Sequence, residues 1–137
     1  MEIPPTLTVR DIMTKDLISV EATDEVFKAI EVMTEKDIGS VVVTQDGKPA
    51  GIVTERDILR KVCPQQLCTR AVTAGEIMNK PLIHIEADAG LGQASSLMAR
   101  KDVRRLLVMD KGKLAGIVTQ KDVMRGTLET FMSLASM

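Results

Sequence analysis

The chain contains an internal repeat, and this repeat restricts its possible folds more than any other feature of its sequence. Residues 11–60 match residues 76–125 without a gap, each against the residue 65 positions later. The match is strongest between Ala50–Thr54 and Ala115–Thr119, which share the sequence Ala-Gly-Ile-Val-Thr. A gapless match over this length indicates two copies of one supersecondary unit.

The repeat also predicts the domain boundaries. We expect a first copy over residues 1–66 with its core at 9–61, and a second over 67–137 with its core at 74–126. A C-terminal helix over 127–137 follows the second core.

Each copy shows strand and helix patterns in the same order. In the first copy, Leu17–Val20 is typical of a short strand, and apolar residues between Val26 and Met33 fall on one helix face. The runs Ser40–Thr44 and Ala50–Thr54 flank Asp46-Gly47, which indicates a β-hairpin. We predict an α+β fold of two pseudo-symmetric repeats, each β-α-β-β-α, packed sheet to sheet as one compact module.

A helix closes each copy, starting at Thr54 or Thr119. The pattern predicts that it buries Ile58, Leu59 and Val62 in the first copy, and Val123 and Met124 in the second. The C-terminal segment carries a further apolar stripe at helical spacing, formed by Leu128, Phe131, Met132 and Ala135. Such a stripe either closes the core, which is our prediction, or forms a dimer contact.

Composition excludes several kinds of partner. Lys and Arg number 18 against 19 Asp and Glu, so the basic excess that nucleic-acid binding requires is missing. The sequence has no Trp or Tyr and two Phe, which leaves no platform for stacking single-stranded bases. It also lacks an apolar run of about 18 residues and a basic-then-apolar signal pattern. We therefore expect a cytoplasmic protein that binds neither nucleic acid nor membrane.

The pattern Thr-x-x-Asp follows the shared strand in both copies, as Thr54–Asp57 and Thr119–Asp122. A helix that starts here presents unpaired N–H groups and a positive dipole end, which suits a phosphate or ribose hydroxyls. The same pattern is also a plain capping box, in which Thr and Asp satisfy the helix start. The motif alone favours the cap.

The motif Gly-x-apolar-Thr-x-x-Asp, preceded by a strand and a hairpin and present twice, resembles the cystathionine-β-synthase (CBS) domain family over about 50 residues of each half. The resemblance implies that Asp57 and Asp122 bond the ribose of an adenosine ligand and that Thr54 and Thr119 approach its phosphate or ribose. The adenine would then lie among residues of the first strand and of the hairpin entry. These are Ile18, Ser19, Val20 and Ile38 in the first copy, and Ile83, His84, Ile85 and Val103 in the second.

The two copies differ where the hairpin begins, since Gly39-Ser40 corresponds to Arg104-Arg105. Members of the family that bind charged nucleotides often carry basic residues here, so the resemblance favours phosphate contact over simple solvation of the pair. Arg56 and Lys121, in the first helical turns, could add positive charge. The proline that the family usually has after the first strand is replaced by Ala22 and Ala87, and the two sites are not expected to be equivalent.

Catalysis is not expected. His84 is the only histidine and stands in a strand, where packing or lining a cleft is favoured over metal binding or acid–base chemistry. Cys63 and Cys68 form a lone C-x4-C, which is a weak metal signal and leaves a redox role as a minor alternative. We predict no catalytic residues, no metal site and no required cofactor.

The sequence thus predicts a stand-alone regulatory module. The resemblance to the CBS family implies that it binds AMP, ADP, ATP or S-adenosylmethionine in the cleft between the repeats. It also implies a homodimer, a disk of four repeats, with an unidentified regulated protein as a further partner. The alternative is a dimerisation or partner-docking protein that binds no nucleotide.

Overall fold

Each copy of the repeat forms a three-stranded sheet with a helix packed on one face. The computed structural model describes residues 7–15, 17–80 and 82–136. It divides the chain into a first-copy unit, drawn from residues 17–82, and a second-copy unit, in which residues 7–15 join residues 83–136. The predicted α+β class and the β-α-β-β-α order of each copy are confirmed.

The helices and strands follow one another in the same order in both copies. In chain order they are α1 (Val9–Ile12), β1 (Ser19–Glu21), α2 (Val26–Lys36), β2 (Ser40–Gln45), β3 (Lys48–Thr54), α3 (Glu55–Asp57) with a π-helical turn (Ile58–Val62), α4 (Ala74–Ile77), β4 (His84–Glu86), α5 (Leu91–Lys101), β5 (Arg105–Asp110), β6 (Lys113–Thr119) and α6 (Gln120–Ala135).

The sheets have the orders β1-β2-β3 and β4-β5-β6, in which the first pair is parallel and the second antiparallel. The antiparallel pairs are the predicted hairpins. Their turn residues Asp46-Gly47 and Lys111-Gly112 all have positive φ, between 53° and 80°. A two-residue turn needs this conformation to match the twist of the strands, which explains the Asp-Gly signal.

The core of each unit lies between its sheet and its long helix. In the first-copy unit, Val26, Ala29 and Met33 of α2 are buried in one cluster with Val41 and Val53 of the sheet. The corresponding residues of α5, Ala94 and Met98, are buried with the second sheet. The predicted helix stripe is therefore the core-facing stripe.

The leading segment of each copy packs in the unit of the other copy. The amide of Val9 in α1 donates to the carbonyl of Ala89 at 2.8 Å, and Thr14 bridges to Ile117 of β6. In the same way the amide of Gly75 in α4 donates to Ala22 at 2.9 Å, and Asn79 bridges to Ile52 of β3. The repeat boundaries in the sequence therefore differ from those of the folded units, because each unit contains the leading segment of the other copy.

Three expectations for the closing helices are wrong. Leu59 and Met124, predicted to be buried, are 66% and 61% exposed, although Val62 and Val123 are buried as expected. No separate helix begins at residue 127, because α6 runs unbroken from Gln120 to Ala135.

The C-terminal stripe does not close the core. Leu128, Phe131 and Met132 are 57%, 68% and 66% exposed, and the side of α6 that faces the unit carries Asp122, Val123 and Gly126 instead. Periodicity revealed an apolar face but could not show that a second face of the same helix meets the core.

Among the described residues, no helix has the length and apolar composition to cross a membrane.

Candidate functional site

The strand-to-helix corner of the first-copy unit is a closed capping box. The Thr54 amide and hydroxyl donate to Asp57 Oδ2 at 2.8 and 2.9 Å, and the Asp57 amide donates to Thr54 Oγ1 at 3.2 Å. Thr54 and Asp57 are only 6% and 7% exposed. The capping interpretation of the motif is therefore correct in this copy, and a role in ligand binding stays a prediction.

Two further side chains hold the Asp57 carboxylate. Asn79 Nδ2 donates to Asp57 Oδ2 at 2.7 Å, and Lys61 Nζ lies 3.5 Å from Asp57 Oδ1. Lys61 also donates to the Ile77 carbonyl at 2.8 Å and to Asn79 Oδ1 at 3.1 Å. The buried carboxylate is thus paired and hydrogen-bonded, as a buried charge must be.

The corner of the second-copy unit has the same cap with fewer partners. The Thr119 amide donates to Asp122 Oδ2 at 2.9 Å, and the Asp122 amide donates to Thr119 Oγ1 at 3.1 Å. Arg125 Nη2, on a side chain that is 68% exposed, lies 3.2 Å from Asp122 Oδ1. Asp122 is 9% exposed, whereas Thr119 is more accessible than Thr54.

The backbone places Arg104 and Arg105 at this second corner. The first amide of α6, that of Gln120, donates to the Arg104 carbonyl at 3.0 Å. Arg105 is the direct cross-strand partner of Thr119. Side chains of directly paired residues lie on the same face of a sheet, about 5 Å apart at Cβ. Both arginines are exposed and stand beside the start of α6.

The equivalent positions of the first copy carry no charge. The Glu55 amide donates to the Gly39 carbonyl at 3.0 Å, and Ser40 pairs with Thr54. The strand pairing and the first helical amide bond are equivalent in both copies, so at these positions the corners differ in side-chain chemistry.

The predicted adenine-site residues fall on two faces of each sheet. Val20 and Ile85 are buried in the helix-side cores, where their side chains serve packing. Ser19 and His84 are exposed and lie on the other face, in register with Val42 and Leu107. The partly buried residues Ile18, Ile38, Ile83 and Val103 pack against the edges of the cores. Strand alternation therefore leaves Ser19 and His84 on the face that carries the Thr54 and Thr119 corners.

The glycine of the repeated motif has a structural reason. A Cβ at Gly116 would lie 2.7 Å from the Thr14 carbonyl oxygen, and one at Gly51 would lie 2.9 Å from that of Asn79. Both distances are shorter than real Cβ contacts, so only glycine lets the leading segment cross the strand.

Sequence reasoning missed Asn79, Lys61, Arg125 and an ion cluster around Arg10. The Lys61–Asp57 and Arg125–Asp122 pairs, four and three residues apart, carry a helix-spacing signal that could have revealed them. Asn79 is 22 positions from Asp57 and gives no local signal.

Arg10 of α1 binds two carboxylates of the second-copy unit. Its Nη1 lies 2.7 Å from Asp110 Oδ2, and its Nη2 lies 3.0 Å from Asp88 Oδ1. The hydrogen bond from Arg10, with its charge, holds the pKa of Asp110 below the usual value. The same two carboxylates raise the pKa of Arg10, chiefly through its hydrogen bond to Asp110.

The remaining predicted residues are accessible. Arg56 and Lys121 are exposed in the first turns after their strands. Cys63 and Cys68 are exposed free thiols. In the described part of the chain, no three metal-binding side chains are grouped.

The model of one protein family matches both copies. The CBS-domain model matches residues 9–63 and again residues 74–129. The chain belongs to the CBS-domain family. CBS domains generally bind adenine nucleotides, and CBS pairs are commonly regulatory and typically non-enzymatic.

Curated relatives share the CBS pair at moderate identity. An uncharacterised protein of Methanopyrus kandleri is 38% identical over 121 residues, which cover 87% of this chain and 62% of that protein. One from Methanocaldococcus jannaschii is 37% identical over 85% of this chain, and the match covers 31% of that protein. Hypoxic response protein 1 of Mycobacterium tuberculosis is 32% identical, and the match covers 86% of this chain and 83% of that protein. The chain therefore spans less than two thirds of the two archaeal relatives.

Solved structures share the fold. A protein with CBS domains from Burkholderia ambifaria has a TM-score of 0.77 at 31% identity, and the match covers 88% of this chain and 91% of that one. Hypoxic response protein I, solved with two coordinated zinc ions, has a TM-score of 0.72 at 32% identity. The match covers 87% of this chain and 98% of that one. A hexameric CBS-CP12 protein from bloom-forming cyanobacteria has a TM-score of 0.80 at 28% identity. The match covers 89% of this chain and 72% of that one. CBS-pair proteins thus assemble into oligomers.

Proposed function

We propose that the chain is a cytoplasmic regulatory module that binds an adenine nucleotide or an adenosine derivative, with AMP, ADP, ATP and S-adenosylmethionine as the candidate ligands. Family membership supports adenosine recognition. The observation that carries the choice of a phosphate-bearing ligand is the position of Arg104 and Arg105 beside the start of α6.

This corner combines three features that suit a nucleotide. The start of a helix of 16 residues presents a positive dipole end. Two guanidinium groups can form charge-assisted, bidentate hydrogen bonds with phosphate oxygens. Asp122 and Thr119 supply an acceptor and a hydroxyl for the ribose, and exposed His84 lies on the same face of the sheet. Of the other basic positions, Lys121 lies in the first turn of α6, where it adds positive charge.

Calorimetric titration tests this proposal. Wild-type protein should bind at least one of AMP, ADP, ATP and S-adenosylmethionine at concentrations up to about 1 mM. The double variant R104Q/R105S should bind the phosphate-bearing ligands at least 10-fold more weakly, because one charged contact is worth about 1.5–3 kcal/mol. S-adenosylmethionine, which has no phosphate, should be little affected.

The exposed arginine Arg100 on α5 gives a control, since R100Q removes one positive charge, half of the change in R104Q/R105S, away from the corner. The proposal is wrong if none of the four compounds gives heat or raises the melting temperature. Equal weakening by R100Q and by R104Q/R105S would show general charge attraction instead of a site.

We also propose that the chain forms a homodimer through the exposed apolar face of α6, defined by Met124, Leu128, Phe131 and Met132. Exposed apolar groups of this size mark contacts between proteins. Leu59, which is equivalent to Met124 in the first copy, is exposed as well, so the position is apolar and accessible in both units. A dimer that bound none of the four compounds would favour the alternative, a docking module without a nucleotide.

A further inference from the structure

We infer that the two Thr-x-x-Asp corners have diverged into different roles. Asp57 is a structural residue that Asn79 and Lys61 hold in place, and Asp122 is the residue left to bind a ligand. The second half of this inference rests on the proposed function, because it names which corner takes the adenosine compound. It predicts one ligand per chain.

The hydrogen bonds of the two carboxylates differ. Asp57 Oδ2 accepts from the Thr54 amide, the Thr54 hydroxyl and Asn79 Nδ2 at 2.8, 2.9 and 2.7 Å, and its Oδ1 faces Lys61. A carboxylate oxygen offers about two acceptor positions, so Oδ2, with three donors, has none left. A ribose hydroxyl could bind Oδ2 only by displacing one of these three donors, and a displaced Thr54, which is buried, would be left unsatisfied.

Asp122 retains acceptor capacity. Within residues 7–15, 17–80 and 82–136, its carboxylate is contacted by the Thr119 amide and by Arg125 alone. The Arg125 side chain is mostly exposed, so moving it into solvent costs little. In the same described residues the Thr119 hydroxyl accepts the Asp122 amide without donating to the carboxylate, and its proton is available.

The sequence difference behind this divergence can be located. Asn79 and Lys61 correspond through the repeat to Thr14 and Gly126, and neither replacement can supply the same contacts. Gly126 is buried, and a Cβ there would lie 2.8 Å from Ile12 Cγ2. A side chain at this position, including that of a lysine, would therefore force Ile12 to shift.

The helices after the two corners differ in the same sense. In the first copy only Glu55–Asp57 are α-helical, and a π-helical turn follows over Ile58–Val62, which includes Lys61. In the second copy α6 continues without interruption. Only the second corner therefore stands at the start of a long regular helix, whose first N–H groups suit an anion.

Melting temperature and AMP stoichiometry test the inference together. D57N should lower the melting temperature by about 5 °C or more, since it weakens the charge-assisted hydrogen bonds of a buried carboxylate. D122N should lower it by less than half as much, yet it should abolish AMP binding. Wild-type protein should bind one AMP per chain.

Asn79 and Lys61 provide the variants that separate structure from binding. N79T, which introduces the residue of the equivalent position, and K61M should both melt at lower temperature and still bind one AMP with affinity within about 2-fold of wild type. K48M removes an exposed charge elsewhere and should change neither quantity.

Two AMP molecules per chain would overturn the inference, as would equal melting shifts for D57N and D122N. Loss of AMP binding in both N79T and K61M would also overturn it. If wild-type protein binds none of the four adenosine compounds, the proposed function and the ligand role of Asp122 fall, and the melting comparison still decides the structural role of Asp57.

Discussion

At the scale of single residues, charge pairs hold the leading segments to the sheets. Arg10 binds Asp110 and Asp88 in the second-copy unit, and Lys61 and Asn79 bind Asp57 in the first. The Lys61–Asp57 pair has a helix-spacing signal, because the two residues are four positions apart. Arg10 and Asn79 meet their partners only through the fold, so the sequence does not predict those contacts.

The Arg10–Asp110 pair predicts a stability effect at acid pH. The pKa of Asp110 is lower in the folded protein than in the unfolded chain, so the pair stabilises the fold above the unfolded pKa, and this stabilisation is lost as pH falls through the folded value. The melting temperature of D110N should therefore lie below that of wild type at pH 7. The difference should shrink below about pH 4.

Thermal melts between pH 2.5 and 7 measure this effect. D46N, which changes an exposed aspartate in the β2–β3 turn, serves as the control and should show no such pH-dependent difference. A D110N difference that is constant over the whole range would show that the carboxylate charge is not involved.

At the scale of helices and strands, sequence periodicity predicted the positions of the elements better than it predicted which helix faces are buried. The hairpins, the stripe of α2 and the capping boxes at Thr54 and Thr119 follow from local rules and are confirmed. The burial of Leu59 and Met124 was predicted wrongly, because an apolar residue on a helix does not reveal which face meets the core. The exchange of α1 and α4 between the units depends on contacts across the chain and has no local signal.

The exposed face of α6 predicts an effect on assembly. L128E and F131E place a charge in this apolar face and should convert a dimer to a monomer in sedimentation velocity, because a buried unpaired charge costs several kcal/mol. The melting temperature of the monomer should change little, since both side chains are exposed.

S133E is the matched control on the same helix, at an exposed position outside the apolar face. It should remain a dimer. If wild-type protein sediments as a monomer at all concentrations, or if L128E and F131E remain dimers, α6 is not the interface.

At the scale of the whole molecule, duplication supplied two equivalent backbones and later substitution made them different. The repeat and the CBS resemblance sufficed to predict the fold class and both Thr-x-x-Asp corners. The repeat and the resemblance could not show that Asn79 donates a hydrogen bond to the Asp57 carboxylate, because only the folded chain brings Asn79 close to Asp57. Val20 and Ile85 were predicted as site residues because whole strands were assigned to the site. Side chains alternate between the two faces of a strand, and those of Val20 and Ile85 lie in the cores.

Backbone amide spectra recorded with saturating AMP test the central claim most directly. The account predicts that AMP shifts the amide resonances of Arg104–Leu106 and Gln120–Asp122 and leaves those of Ser40–Val41 and Glu55–Asp57 nearly unchanged. Spectra that do not respond to AMP, or shifts confined to the first-copy corner, would contradict it.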